Sequence, residues 1–177
     1  DPKLESDRQY FGTMLVYAND FLLLAPPSAI TALEEILRNE WKITSQEMVS
    51  SENPGTIRYL GLEILYLRNG NIAIHQQTYL DDMLKKWNLQ DANGSPSMTV
   101  DAPTAEELEM EVDPGEVTLA QRLCGGLIWI STRSRPDIAY AVSRLGSFVT
   151  TAPLWALRLG KRIMRYLKQT REWVLLY

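Results

Sequence analysis

The chain has 177 residues, an apolar share of 45 % and a net charge of −4, which suits one domain or two small ones with a sizeable core. A lone Cys124 excludes a disulfide framework and a cysteine-based zinc cage and fits a reducing compartment. No apolar run approaches the ~20 residues of a membrane span, and no basic-then-apolar leader marks secretion.

Residues 8–25 read as a β-hairpin: Thr13-Met14-Leu15-Val16 and Phe21-Leu22-Leu23-Leu24 flank Tyr17-Ala18-Asn19-Asp20. The tight polar turn puts the Asp20 carboxylate at a hairpin tip, where it can hold a metal ion. Mg²⁺ takes hard oxygen ligands, so Asp20 suits it and the neutral Asn19 carbonyl attracts it far less. Asn-Asp is also ordinary turn chemistry. Pro26-Pro27 ends the hairpin. Ser28 is expected to cap a helix over 29–41 with Ile30, Leu33, Leu37 and Trp41 on its apolar stripe.

A short strand is expected near Lys42-Ile43-Thr44, then a loop from Ser50 to Gly55. Ile57 to Leu67 and Asn71 to His75 form a second hairpin around Asn69-Gly70, since both turn residues tolerate positive φ. Thr78 and Asp81 have capping-box spacing and open a helix that buries Leu80, Met83, Leu84 and Trp87. Asp81-Asp82 fits capping better than catalysis, and the lone His75 has no neighbours for a metal site. Residues 88–117 read as a long mobile connection.

Three helices follow: Thr118 to Ser131, one from Pro136 burying Ile138, Val142, Leu145 and Val149, and Leu154 to Thr170 with Trp155, Leu159, Ile163 and Leu167 inward. The charge is asymmetric. Residues 101–117 carry seven acids and no Lys or Arg, whereas residues 118–177 carry ten basic residues against two acids, +8. This suggests either a polyanionic partner on one side or a solvated basic surface. On the last helix Arg158, Lys161, Arg162, Arg165 and Lys168 recur opposite the apolar stripe, and either reading fits that row.

Several blocks carry a resemblance. Tyr17-Ala18-Asn19-Asp20 resembles the Tyr-x-Asp-Asp box of reverse transcriptases, with Asn19 at the position of the first Asp. Tyr59-Leu60-Gly61-Leu62-Glu63-Ile64, followed by Gln76-Gln77-Thr78-Tyr79, is similar to the segment after the box in copia-type LTR-retrotransposon reverse transcriptases. Thr132-Arg133-Ser134-Arg135-Pro136-Asp137-Ile138-Ala139 resembles that family's Thr-Arg-Pro-Asp-Ile-Ala signature. Lys161-Arg162-Ile163-Met164-Arg165-Tyr166-Leu167-Lys168 resembles its closing basic block. Ala156 stands about where the family often carries a His.

The resemblance implies an α+β fold. A partial palm (residues 1–76) holds β-hairpins and one packed helix, residues 77–117 connect, and a thumb-like three-helix bundle with the first connection strand spans 118–177. It implies Tyr17, Asn19 (a degenerate position) and Asp20 at a catalytic box, Asp20 as a Mg²⁺ ligand, and Tyr59, Leu60 and Gly61 in a primer-grip-like hairpin. Gln121, Gly125 and Trp129 match a retroviral thumb helix that follows the minor groove of a primer–template. Their i, i+4, i+8 spacing puts them on one helix face, although Gly125-Gly126 could instead permit helix packing and Trp129 could be core.

Arg158, Arg162 and Arg165 would then be candidate nucleic-acid contacts. The implied partners are an RNA or DNA primer–template and the rest of a Pol polyprotein, with fingers and palm upstream and ribonuclease H downstream. The implied location is the cytoplasm, in the element's particle, or the nucleus, with no membrane. Both ends read as cuts through a larger protein, and the piece by itself is expected to position primer–template without polymerising. A non-catalytic nucleic-acid-binding module and a decayed relic are the alternatives.

Overall fold

Two apolar runs around Ala18-Asn19 fold back on each other. The computed structural model describes residues 12–44 and 46–177. In it, β1 (Thr13–Tyr17) pairs antiparallel with β2 (Asp20–Leu24), Tyr17 opposite Asp20. The expected start of this hairpin at residue 8 lies outside the described residues. Ala18 takes φ 50°, the left-handed region usually left to Gly.

The following helix, α1 (Pro27–Glu40), starts at Pro27, with Pro26 before it and no side-chain cap. Ser28 is therefore inside the helix rather than capping it, because a Pro with fixed φ and no N–H already suits the first turn. Of the expected stripe only Leu37 is buried, and Trp41 is exposed with its ring 6.2 Å from that of Phe21. Residues 42–44 form no strand among the described pairings. Instead Gln46 joins Glu34 and Arg38 in a surface hydrogen-bond triangle, each side 2.7 Å.

The chain divides into two compact units between Val49 and Ser50. The larger unit holds a four-stranded antiparallel sheet, β3 (Gly55–Tyr59), β4 (Leu62–Tyr66), β5 (Ile72–His75) and β6 (Leu175–Leu176), in that spatial order. The expected single strand from Ile57 to Leu67 is broken. Leu60 (φ 50°) and Gly61 (φ 74°) make a tight turn that pairs Tyr59 with Leu62. Positive φ at both central residues is what a two-residue hairpin turn requires. At Asn69-Gly70 the chain turns as expected: Gly70 has φ 86°, and Asn71 N donates to Asn69 Oδ1 at 3.1 Å.

Helix α2 (Gln77–Lys86) buries Leu80, Met83 and Leu84. Its N-terminus carries no capping box, because Glu63 of β4 takes that role. Glu63 accepts from Thr78 N (3.0 Å) and Thr78 Oγ1 (2.8 Å). Burial would raise the Glu63 carboxyl, but the Thr78 bonds and the charges of His75 and Arg58 hold it below the usual range. Asp81 pairs with Arg171 (2.9 and 2.6 Å), tying α2 to the C-terminal segment instead of capping it.

A short α3 (Ala105–Glu109) interrupts the expected loop. Its capping box is Thr104 with Glu107. Then α4 (Pro114–Arg133) starts four residues earlier than expected, since Asp113 accepts from Gly115 N at 2.9 Å and Pro114 fills the first position. A 3-10 turn, Pro136–Ile138, leads into α5 (Ala139–Gly146), and α6 (Pro153–Gln169) follows.

The core lies where α4, α5 and α6 meet. Leu123, Leu127, Ile138, Leu145, Leu159 and Ile163 are fully buried there, as is Trp155. Ala156 is buried in the same core. Two glycines set the distances. A Cβ on Gly160 would lie 2.4 Å from Leu123 Cδ2, and one on Gly126 would lie 2.8 Å from Met83 Cε. So α6 packs closely on α4 at Gly160, and at Gly126 the flexible end of Met83 fills the space beside α4.

The Ser134-Arg135-Pro136-Asp137 block clamps this unit. Arg135 is buried and donates to both Asp137 oxygens (2.9 and 2.7 Å), to Thr170 O (3.0 Å) and to Thr170 Oγ1 (2.6 Å). Its guanidinium also lies 5.5 Å from the ring centroids of Tyr166 and Trp173. Ser134 Oγ donates to Gln76 Oε1 at 2.9 Å. One short loop thereby holds the end of α4, the end of α6 and the start of α2.

Candidate nucleic-acid interface

Helix α4 turns one face to the core and one to solvent, as its 3.6-residue period dictates. Gln121 and Gly125 are exposed and Trp129 is half-buried, all on the outer side. A Cβ on Gly125 would meet nothing within 4 Å. The two adjacent glycines therefore differ in kind: Gly126 packs against Met83, whereas Gly125 leaves a gap on an open face. Arg133, one turn beyond Trp129, holds its guanidinium over the Trp129 ring, 4.8 Å from the centroid.

The β3–β4 turn reaches the same place. A Cβ on Gly61 would lie 3.9 Å from Trp129 Nε1. The structure thus brings the Tyr59-Leu60-Gly61 turn beside the α4 face. Sequence reasoning placed these residues in one long strand and gave no reason to join them to α4. Gly61 inside an apolar run was the available signal for a turn.

The α6 row is arranged differently from the exposed stripe expected. Residues 90–107 lie along it and use its cations. Lys168 Nζ donates to Gln90 O and Ala92 O (2.5 and 2.7 Å), and Arg165 Nε to Asn93 O (2.7 Å). Arg162 bonds Thr99 O (2.8 Å) and Asp101 Oδ1 (3.1 Å), and Arg158 pairs with Glu107 (2.6 Å). Arg158 and Arg165 remain exposed while Arg162 and Lys168 are half-buried. An irregular segment leaves many carbonyls without partners, and long cationic side chains satisfy them. Met98 and Val100 anchor the same segment on the core.

This strap makes a prediction. Each lost clip should cost about 1 kcal/mol, so Arg162→Ala with Lys168→Met should raise cleavage after Glu106, Glu107 or Glu109 by about 5- to 30-fold. Limited proteolysis with a glutamate-specific protease reads this, and an unchanged rate would mean that Met98 and Val100 hold the strap without the cations.

In the smaller unit, Asn19 lies in the turn, Asp20 opens β2 exposed, and Tyr17 is 63 % exposed. Among the described residues no three acidic, His or Cys side chains gather to hold a metal ion. Asp20 is the carboxylate of this turn, and Mg²⁺ held through one or two carboxylates keeps waters or substrate phosphates as its other ligands. Among the described residues, no helix is long and apolar enough to cross a membrane.

No protein-family profile matches the chain, and no solved structure does. Curated relatives do match. A transposon Ty5-1 protein of Saccharomyces cerevisiae is 26 % identical over 167 residues, covering 92 % of this chain and 50 % of the relative. Retrovirus-related Pol polyproteins from transposons RE1 and RE2 of Arabidopsis thaliana are 29 % and 27 % identical, covering 89 % and 90 % of this chain and 10 % of each relative. The chain spans half the length of the yeast relative and a tenth of the plant ones. Over about nine-tenths of its length, it is similar to proteins of retrotransposons, two of them Pol polyproteins.

Proposed function

We propose that the chain is the reverse-transcriptase portion of a retrotransposon Pol polyprotein that receives an RNA or DNA primer–template on the outer face of α4. The observation that carries this reading is the open gap at Gly125. Gln121 and Trp129 flank it, and the Leu60-Gly61 turn lies beside Trp129. A bare backbone lets a wide, shallow minor groove approach, Gln121 can donate to base-edge acceptors, and the indole gives a flat apolar wall. In this reading β3–β4 is the primer-grip-like hairpin and α4–α6 the thumb. The remainder of the polyprotein supplies the other parts of the polymerase, and the chain alone positions the duplex without polymerising. Asn19 also favours a second reading, a non-catalytic binding module, in which the same face acts without the box.

Gly125→Leu tests the site. The side chain enters open space and replaces a poor helix former, so the fold is retained or gains up to about 1 kcal/mol. Binding of a short RNA–DNA hybrid, read by fluorescence anisotropy, should weaken about tenfold or more, because ~1.4 kcal/mol of lost contact is one decade. Equal affinity in the variant would remove α4 as the interface.

A further inference from the structure

We propose that Arg122 and Arg133 make the phosphate contacts that seat a duplex on α4, a role for which four of the five cations of the α6 row are already engaged elsewhere. This rests on the reading of α4 given above. Four cations of α6 are already committed to the strap, through the bonds to Gln90, Ala92, Asn93, Thr99, Asp101 and Glu107. Moving a guanidinium from such a partner to a phosphate exchanges one charge-assisted bond for another and gains little. Arg122 and Arg133 are exposed and form no ion pair among the described residues. From Val117 to Arg133, α4 contains no acid that would repel a phosphate.

Their placement fits the task. The two arginines are eleven positions apart, which is about three turns and ~16 Å along the axis, and leaves them within roughly 20° of the same azimuth. Gly125 and Trp129 lie between them on that side. One cation therefore stands beyond each end of the gap where the backbone is bare. A duplex entering at Gly125 would bring sugar–phosphate strands to both positions.

Arg133 is the better defined of the two. Its guanidinium lies over the indole, 4.8 Å from the ring centroid, and a planar fork suits bidentate phosphate recognition. The same stack covers one face of Trp129. The indole then supports Arg133 on that face as well as flanking the open position at Gly125, with its Nε1 beside Gly61.

The test is the salt dependence of binding of a short RNA–DNA hybrid by the full chain. Arg122→Gln and Arg133→Gln should each weaken binding about tenfold at low salt and flatten the log–log salt slope by about one. Arg122→Lys should keep the slope, since the charge remains. Arg133→Lys should keep the slope and lose affinity, since the planar stack is gone. Arg162→Gln should speed strap proteolysis and leave the slope unchanged.

If Gly125→Leu weakens binding while both Gln variants keep the parent slope, the phosphate assignment fails and the α4 interface stands. If neither Gly125→Leu nor the Gln variants change anything, the α4 interface itself fails. A slope that falls with Arg162→Gln and not with Arg122→Gln would return the phosphate role to α6.

Discussion

Arg135→Met is expected to lower the unfolding free energy of the larger unit by about 2–4 kcal/mol, read as a shift of the urea midpoint with unchanged m. Removing a buried ion-pair member commonly costs about 3–5 kcal/mol because its partner is left uncompensated. Asp137 retains 31 % of its side-chain exposure, so water offsets part of that loss. The Thr170 carbonyl and hydroxyl lose their donor as well. Arg135→Lys should rescue little, because a point charge cannot serve Asp137 and Thr170 together.

The pH dependence has a definite sign. Burial raises the Asp137 carboxyl, and hydrogen bonds and charge from Arg135, with a further bond from Tyr166, outweigh it. The net value lies below the ordinary 3.8. A depressed carboxylate stabilises the fold fully above the unfolded value and loses that contribution as pH falls through the folded value. The parent should therefore lose stability below about pH 4 more steeply than Arg135→Met. A loss under about 1 kcal/mol, the worth of an exposed pair, would show that Arg135 is not the clamp.

The second large effect is at the α4–α6 contact. Leu123→Ala should cost about 2–5 kcal/mol, since the side chain is fully buried. Gly160→Ala should cost about 1–3 kcal/mol by overpacking, reduced by roughly 1 kcal/mol of better helix propensity. The double variant should cost less than the sum. The added Cβ falls 2.4 Å from Leu123 Cδ2 and 2.9 Å from its Cγ, the atoms that Leu123→Ala removes. A coupling of about 0.5–3 kcal/mol is expected. Additive values would mean that α6 shifts away from α4 instead of using the space.

Periodicity made most of the bundle legible. Leu80, Met83 and Leu84, and later Trp155, Leu159, Ile163 and Leu167, repeat at helical spacing and are buried. Local turn chemistry located the hairpins at Asn19 and Asn69-Gly70. What remained hidden depends on partners distant in sequence. Glu63 caps α2 across 15 residues, Arg135 reaches Thr170 across 35, and Lys168 reaches Gln90 across 78. No local pattern marks which carbonyl a cation will find. For that reason the α6 row read as a free basic face. Gln121, Gly125 and Trp129 of α4 were singled out by the resemblance, since their spacing alone fits helix packing as well, and their nearness to Gly61 depended on a turn that a continuous apolar run concealed.

The uneven burial of the two units bears on how the protein opens. In the smaller unit every residue of β1 is exposed and α1 buries only Leu37, whereas the larger unit closes around a continuous core. Amide protons of Thr13 to Leu24 should therefore exchange through low-energy local openings, and those of α4 and α6 only through cooperative loss of the core. Denaturation followed by α4 and α6 reports one foldon. The hairpin that carries Asn19 and Asp20 should melt as another.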